Sequence, residues 1–570
     1  LSLDDPYQIF TISLSKSYPN ETYQLQRDGQ TVASLPGDPY GAPISFRGAY
    51  GLGTYTVTNS SYATILGSVV VTSPPDENYI LSKTYLDKTE DNFIEDVVFY
   101  NGLGDQAQAI NIAATPDEDK NIVTPYYYDA FRRGNARAYL PYVSSQSFLA
   151  MDSAPFTEQS RYYSTIYADD AAYAFSKVVF DDSPLNRPVQ EYKPGKVYHS
   201  GNGKFAQTEY LTNSETGDLA CLKFSVTGVG SSSSLDKSGY YPAGALYVTR
   251  TTNEDGSVVL NFADMSEKTL LVRQISDDGS FYDTYSVYDL LGNLCYVLPP
   301  ELSAEIAAGA LTALSDENLA SLAYIYKYDG RNRIVEKRLP GAQPEEYAYD
   351  NADRMTSRSR GSGSEKEVWE YTYDNLDRIT GESYRKGNAA ATTKMTCSYH
   401  YSTLSAPFAF RPVNGVVLKS DCFPAMLPNN KAQETIMSVC GPASVSLTRV
   451  FHYDNRGRVI QTVEQYGDVT SRISYRYDFP GNLLKKHESY IVANNSEYSV
   501  LTQYTYDRRS RLLAETTTVS GGVQGHSVST SAPTSITYRY NELGQLVART
   551  YGSGANAVTD NLEYNLQGWL

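Results

Sequence analysis

The sequence predicts an all-β chain in which a small N-terminal β-sandwich precedes a long series of β-hairpins joined into one curled sheet, with a short helical insertion near residues 300–322. Three observations predict it. Short runs rich in Thr, Val and Tyr alternate apolar with polar residues between Gly, Asn and Pro, which is the period of strands and turns. Tyrosine is in excess, 51 against 18 Phe and 2 Trp in 570 residues. A Tyr-Asp or Tyr-Asn pair followed by turn residues recurs along the second half of the chain, the mark of a repeat array.

Residues 1–74 carry the runs FTISLSKSY, TYQLQRDGQTVA, PISF, GTYTVTN and ILGSVVVT. Arg27-Asp28-Gly29-Gln30 joins two of them as a hairpin turn, because Gly accepts positive φ at no steric cost. This module resembles the Ig-like domains of large secreted proteins of the Bacteroidetes. Ser73-Pro74-Pro75-Asp76 reads as a linker, since tandem proline resists both helix and central strand. Within 75–279, VVFY-NGLG-DQAQAI and PYYYD-AFRR-GNARAYLPY read as strand–turn–strand units. The stretch 143–177 has no clear period, FDDSPLNRPVQEYKPG restores the pattern, and GVGSSSSLDKSGYY predicts a flexible surface loop. The one distinct helix signal starts at Pro299-Pro300, sets Glu301 in the first turn and returns apolar residues at Leu302, Ile306 and Ala310. A second short helical run, Ser315 to Leu322, follows it.

The third region, 280–570, holds nine copies of one phrase: Tyr288-Asp289, Tyr328-Asp329, Tyr349-Asp350, Tyr373-Asp374, Tyr453-Asp454, Tyr477-Asp478, Tyr506-Asp507, Tyr540-Asn541 and Tyr564-Asn565. The wide gap between Tyr373 and Tyr453 leaves room for degenerate copies or an insertion, set at about 400–445. In each copy a strand ends at Asp or Asn, whose side chain accepts hydrogen bonds from backbone N–H groups ahead of it as an Asx turn. Gly292, Gly457, Gly481 and Gly544 supply permissive φ. An apolar residue then opens the returning strand, so each copy is a hairpin. A lone hairpin is marginal, but stacked hairpins form one sheet in which tyrosines line up across strands. Tyrosine packs its ring while keeping its hydroxyl satisfied, so such a sheet tolerates a wet face. Roughly ten hairpins at about 4.8 Å per strand span on the order of 100 Å, too wide to lie flat against strand twist.

These phrases resemble the YD repeats of Rhs proteins, whose consensus is similar to YDxxGRL. NYILSKTY, YNGLG, VTPYYYDAFRR, SPLNRPVQEYKPG, TYSVYDLLGNLCYVLPPELS and YKYDGRNRIVEKRLPGA extend the likeness to the Rhs-repeat proteins of the Bacteroidetes over about residues 78–570. The resemblance implies a spiral sheet wound into a shell, as in the cocoons of Rhs and Tc toxin components and the teneurin barrel. It also implies a C-terminal polymorphic toxin, set off by DPxG sequences with autoproteolytic aspartates. This chain has no DPxG, its only Asp-Pro steps being Asp5-Pro6 and Asp38-Pro39, and it runs to Leu570 within a repeat. The expectation is therefore a truncated shell portion without catalytic residues, whose partner would be a C-terminal effector absent from this chain. Surface or secretion-system proteins and glycans are further partners to consider. The same likeness implies a secreted or outer-membrane, extracellular location, with any signal or anchor outside this chain.

Composition bears on the alternatives. A net charge of −17 opposes binding to phosphate backbones, so no nucleic-acid partner is expected. Cys221, Cys295, Cys397, Cys422 and Cys440 are odd in number and lack a CxxC pair, so they predict neither a disulfide framework nor a zinc site. No apolar run reaches membrane-spanning length. His199, His400, His452, His487 and His526 lack partners at ligand spacing, and no GxSxG elbow or phosphate-cradling loop occurs. No enzyme activity, cofactor or metal is expected. The repeat aspartates lack the DxDxDG spacing of calcium loops, and Arg333, Arg354, Arg378, Arg458 and Arg511 are expected to pair with turn carboxylates or cover tyrosine rings. Two rival functions stand beside the shell: a surface adhesin binding carbohydrate on exposed tyrosines, and a structural part of a larger outer-membrane surface complex.

Overall fold

The computed structural model describes residues 10–570 apart from 15, 28, 49–52, 60–64, 72–77, 89–91, 145–150, 200, 202–203, 229–232, 388–392, 401–409, 418–435, 441–445, 493–495, 524–525 and 529–531. The 73–76 linker, Asp5-Pro6 and most of the 400–445 insertion therefore lie outside the described residues. The chain divides into two compact units, one of residues 1–81, 97–109 and 145–155, the other of residues 82–96, 110–144 and 156–570.

In the first unit, strands Phe10–Leu14 and Ile44–Gly48 pair antiparallel, and Gln30–Pro36, Thr22–Arg27, Gly53–Asn59 and Ile65–Val71 form a four-stranded sheet in that order. Alternation puts Tyr23 and Leu25 on one face of their strand, and they bury with Phe46, Tyr55 and Val57. Tyr23 keeps its hydroxyl satisfied inside this core by accepting from the Tyr18 N–H at 2.8 Å.

The second unit is built on an antiparallel sheet of 27 strands running from Arg137–Tyr139 to Val558–Asn561. Its strands follow one another in chain order, except that strand Tyr142–Ser144 pairs with Asn121–Pro125 in a separate five-stranded sheet and the two-stranded hairpin Leu222–Thr227 and Ser234–Tyr240 leaves the sheet. In such a meander the connections alternate between two edges. Each repeat contributes one hairpin and one link, so every Tyr-Asp or Tyr-Asn turn falls on the same edge, here called the turn edge. The links fall on the opposite edge. The gap between Tyr373 and Tyr453 obeys the same count, because strands Thr393–His400 and Ile436–Cys440 pair with His400 opposite Ile436. That pair thus stands in the place of one repeat hairpin, and residues 410–417 of its connection are described. Within it, the Arg411 N–H donates to Gln461 Oε1 at 3.0 Å and Gln461 Nε2 donates to the Arg411 carbonyl at 2.8 Å. This pair of bonds satisfies an amide with no solvent exposure.

A hydrophobic core forms where that two-stranded hairpin and helix Pro300–Ala307 cover the sheet. Leu222, Leu235, Leu260, Phe262, Leu271, Tyr296, Leu302 and Ile306 are buried together, each large side chain contributing about 1.5–3 kcal/mol. Pro300 at the first helical position and Glu301 in the first turn start the helix. Ser315 caps the short helix Asp316–Leu319 by accepting from the Asn318 N–H. The buried Arg273 is paired: it donates to both carboxylate oxygens of Asp283 and to the Asp218 carbonyl. A third helix, Pro155–Ile166, occupies the stretch that carried no clear period. It buries only Gln159 and Tyr163, one turn apart, with Gln159 Nε2 donating to the Leu140 and Ala174 carbonyls. A run so rich in Tyr and Thr hides this narrow stripe.

Candidate functional site

The feature that repeats along the sheet is the turn edge. At Asp350, Oδ1 accepts from the Ala352 N–H at 2.9 Å and the Arg354 N–H at 3.0 Å, while Oδ2 accepts from Arg354 Nε at 2.7 Å. The Asp350 N–H donates to the Arg354 carbonyl at 2.9 Å, and Asp353, three residues into the turn, takes φ 64°. Asp289, Asp329, Asp374, Asp454, Asp507 and Asn541 accept from the same two backbone positions. Asn565 accepts from the Trp569 N–H at 2.9 Å. Asp478 differs for a covalent reason: Pro480 has no N–H, and Oδ1 turns to the Gly481 and Asn482 amides at 2.8 and 2.6 Å.

The fourth residue of every turn adopts the left-handed conformation, whether it is Gly292, Gly457, Gly481, Gly544 and Gly568 or Asn332, Asp353, Asp377 and Ser510. Side-chain-bearing residues are held there against a cost of about 1–2 kcal/mol. All four use the side chain: Asn332 Oδ1 accepts from Asn293, Asp353 Oδ1 from Arg331 and Arg333, Asp377 Oδ1 from Arg354, and Ser510 Oγ from Asn482.

Neighbouring hairpins are then stitched together along this edge. All nine repeat tyrosines are half-buried. Among the described residues, six donate their hydroxyl to the carbonyl of the first return-strand residue of the preceding hairpin: Tyr328 to Leu294, Tyr349 to Ile334, Tyr373 to Met355, Tyr506 to Leu483, Tyr540 to Leu512 and Tyr564 to Leu546, at 2.7–3.1 Å. Strand pairing between those hairpins stops short of these carbonyls; between Ile334–Arg338 and Glu345–Tyr349 the register holds only Glu336 opposite Glu346 and Lys337 opposite Glu345. Tyrosine supplies the missing donor. The arginine closing each turn completes the stitch. Arg333, Arg354 and Arg458 donate to the main-chain carbonyls of Asp350, Asp374 and Asp478 in the next turn, and each lies over the next tyrosine ring at 4.7, 5.1 and 5.0 Å. Where asparagine replaces arginine the bridge shortens: Asn293 reaches Asn332, and Asn482 reaches Ser510 Oγ.

These contacts explain the electrostatics. The Arg333 guanidinium bonded to Asp329 lowers that carboxyl's pKa, and for Asp350 the Arg354 N–H does so first, followed by its guanidinium. Burial raises the pKa of Asp374, but the Arg378 side chain and N–H more than offset it. Burial raises the hydroxyl pKa of Tyr328, Tyr349, Tyr373, Tyr506 and Tyr540, keeping them protonated donors.

The last repeats also meet the early part of the same unit. Arg509 donates to Asp96 Oδ1 at 2.8 Å and to the Glu95 and Ile112 carbonyls, Arg511 to the Ala114 carbonyl, and Arg508 to Glu118 and the Phe93 carbonyl. Lys120 pairs with Glu542 at 2.5 Å. The Tyr167 hydroxyl donates to the Tyr564 carbonyl, Gln567 Nε2 donates to the Pro194 carbonyl at 2.6 Å, and Lys193 lies over Trp569. Tyr167 and Pro194 belong to links on the opposite edge, so the turn edge of the last hairpin lies against the opposite edge of the first strands. The sheet curls far enough to stack on itself.

Further turns follow the same plan without the Tyr-Asp pair. Asp264 accepts from the Ser266 and Lys268 N–H groups around Glu267 at φ 63°, and Asn253 and Ser276 open turns that bend at Gly256 and Gly279. The signal that marks the last two is a polar side chain three residues before a Gly. Asn101 and Asp129, in the two strand–turn–strand units of the sequence, accept from the second and fourth N–H groups ahead as well. Among the described residues His, Cys, Asp and Glu form no group of three or more that could hold a metal ion.

Residues 72–212 match a family described as a domain of unknown function, DUF6443. No curated protein matches the chain. Among solved structures, the chain is similar to the crystal structure of TcdB2-TccC3-Cdc42, at 13% identity and TM-score 0.41 over 86% of this chain and 26% of that one. It is similar also to TcdB2-TccC3, at 12% identity and TM-score 0.41 over 96% of this chain and 32% of that one. The chain thus spans about a third or less of the length of those structures.

Proposed function

We propose that this chain is a non-enzymatic portion of a secreted or surface-displayed shell of the Rhs type, which encloses or presents an effector carried C-terminal to it. The observation that carries the reading is the stacking of the late turns, at Arg508, Arg509, Arg511 and Gln567, onto strands and links some four hundred residues earlier. A sheet that stacks on itself encloses space, whereas an extended array of hairpins offers only faces. The Asp–Arg turns and tyrosine hydroxyl bonds give such a wall stiffness through polar contacts rather than through a second packed layer. The test uses the full-length gene product: limited proteolysis should leave a C-terminal domain intact until the shell is unfolded, and electron microscopy should show a hollow particle. A C-terminal domain cleaved as fast as the same domain made alone, or a solid rod, would refute the proposal.

A further inference from the structure

We infer that the cavity between the two-stranded hairpin and the 264–268 turn binds one neutral sugar ring, free or at the end of a glycan, through Asp264, Lys268, Tyr241 and Tyr288. The inference does not depend on an enclosed effector. Asp264 opens a turn of the repeat plan, its Oδ1 accepting from the Ser266 and Lys268 N–H groups at 2.8 and 3.0 Å. Lys268 therefore stands where Arg333 and Arg354 stand in their turns, and Tyr288 stands where Tyr349 and Tyr373 follow them. Those arginines bond their own turn carboxylate and a carbonyl of the next turn, and those tyrosines bond the return strand behind them. At this station the side chains make none of these bonds. Lys268 lies over the Tyr288 ring at 5.6 Å, but among the described residues its ammonium, Asp264 Oδ2 and the Tyr288 hydroxyl have no hydrogen-bond partner.

All three residues line one cavity of about 160 Å³, whose walls include Phe224, Tyr241 and Tyr285. At about 30 Å³ per water, that is the room of roughly five waters. The Tyr285 hydroxyl is committed, accepting from the Leu222 N–H and donating to Asp283, and both Asp289 oxygens are taken within their own turn. The Tyr241 hydroxyl is free, and burial, with the neighbouring Cys221 and Asp264, raises its pKa so that it stays a protonated donor. The cavity thus offers one carboxylate acceptor, one ammonium and two hydroxyls beside aromatic rings. An anion would meet Asp264 and a cation would meet Lys268, while an apolar molecule would strip water from all four groups and replace none of its hydrogen bonds. A sugar is neutral, its hydroxyls donate as well as accept, and its C–H face suits the negative face of an aromatic ring.

Saturation-transfer NMR on the intact chain tests this with glucose, galactose, mannose, fucose and N-acetylglucosamine, and with glycine and alanine as small zwitterions. At least one sugar should receive saturation, and neither amino acid should. D264N keeps the turn, because Asn541 caps its own turn with the same oxygen, but it loses the carboxylate. With unchanged circular dichroism, D264N and K268M should each weaken the bound sugar about tenfold or more, and Y288F about two- to tenfold. Tyr247→Phe, outside the cavity, should leave binding as it was. Methyl glycosides of the bound sugar that keep its affinity mark a glycan end as the ligand, and glycosides that lose it mark the free sugar. No sugar bound, an amino acid bound in its place, or binding unchanged in D264N, K268M and Y288F would each overturn the inference.

Discussion

Replacing Tyr349 by Phe isolates the stitch between hairpins. The ring and its packing stay, while the 2.8 Å bond from the hydroxyl to the Ile334 carbonyl is lost. That carbonyl lies beyond the last paired row between the two hairpins, so no strand N–H replaces the donor. A net hydrogen bond of this kind is worth about 0.5–1.5 kcal/mol, or roughly a 2- to 13-fold change in an opening equilibrium. A single global unfolding free energy is poorly defined for a chain of several units, so the assay is hydrogen exchange resolved by peptide. Peptides covering Ile334–Arg338 and Glu345–Tyr349 should exchange faster by that factor, and distant peptides should not. Tyr247→Phe, at a side chain 58% exposed, serves as the control. Unchanged exchange in Y349F, or an equal effect from the control, would refute the role given to the hydroxyl.

Other consequences are as direct. Glu267 holds φ 63° in the turn opened by Asp264, and Glu267→Gly should raise the local opening free energy of that turn by about 0.5–1 kcal/mol, read as slower exchange; faster exchange would count against a strained backbone there. The carboxyls of Asp329, Asp350 and Asp374 have folded-state pKa values below the ordinary 3.8. A depressed value means their stabilisation is complete above 3.8 and lost as pH falls through the lower folded value. Turn amide protection, corrected for intrinsic exchange, should therefore be full above pH 3.8 and decline as pH falls from there through the lower folded value. Cys221 and Cys295 are buried, and burial pushes their thiols up to about 12 and about 11; mass mapping after iodoacetamide at mildly alkaline pH should find both unmodified until denaturant is added.

The legible part of this protein was the part written in local chemistry. Alternation and turn residues specify strands within a few positions of one another, and the Tyr-Asp phrase marks an Asx turn because both of its hydrogen bonds are made within five residues. Phrases such as Tyr349-Asp350 therefore carried the all-β fold without help from distant contacts. The partner of the Tyr349 hydroxyl was not legible, since Ile334 belongs to another hairpin and its carbonyl is available only because pairing stops there. The turn at Asp264 was hidden for the opposite reason: its geometry is the same, but its sequence lacks the tyrosine that made the others conspicuous. Helix Pro155–Ile166 escaped because Tyr162, Tyr163 and Thr165 favour strands, while its buried stripe is only Gln159 and Tyr163. The pairing of Arg509 with Asp96 depends on the curl of the whole sheet, which no window of sequence contains.

That curl is the central claim, and a zero-length carbodiimide cross-link tests it most directly. Lys120 and Glu542 lie 2.5 Å apart across 422 residues of sequence, close enough for an amide to form between them. In the monomer fraction, mass spectrometry should recover the Lys120–Glu542 peptide pair alongside local pairs such as Lys193–Glu254 and Lys386–Glu365, at 2.8 Å each. Recovery of the local pairs without Lys120–Glu542 would show that the late repeats do not return to the early strands, and would contradict the stacked sheet on which the shell reading stands.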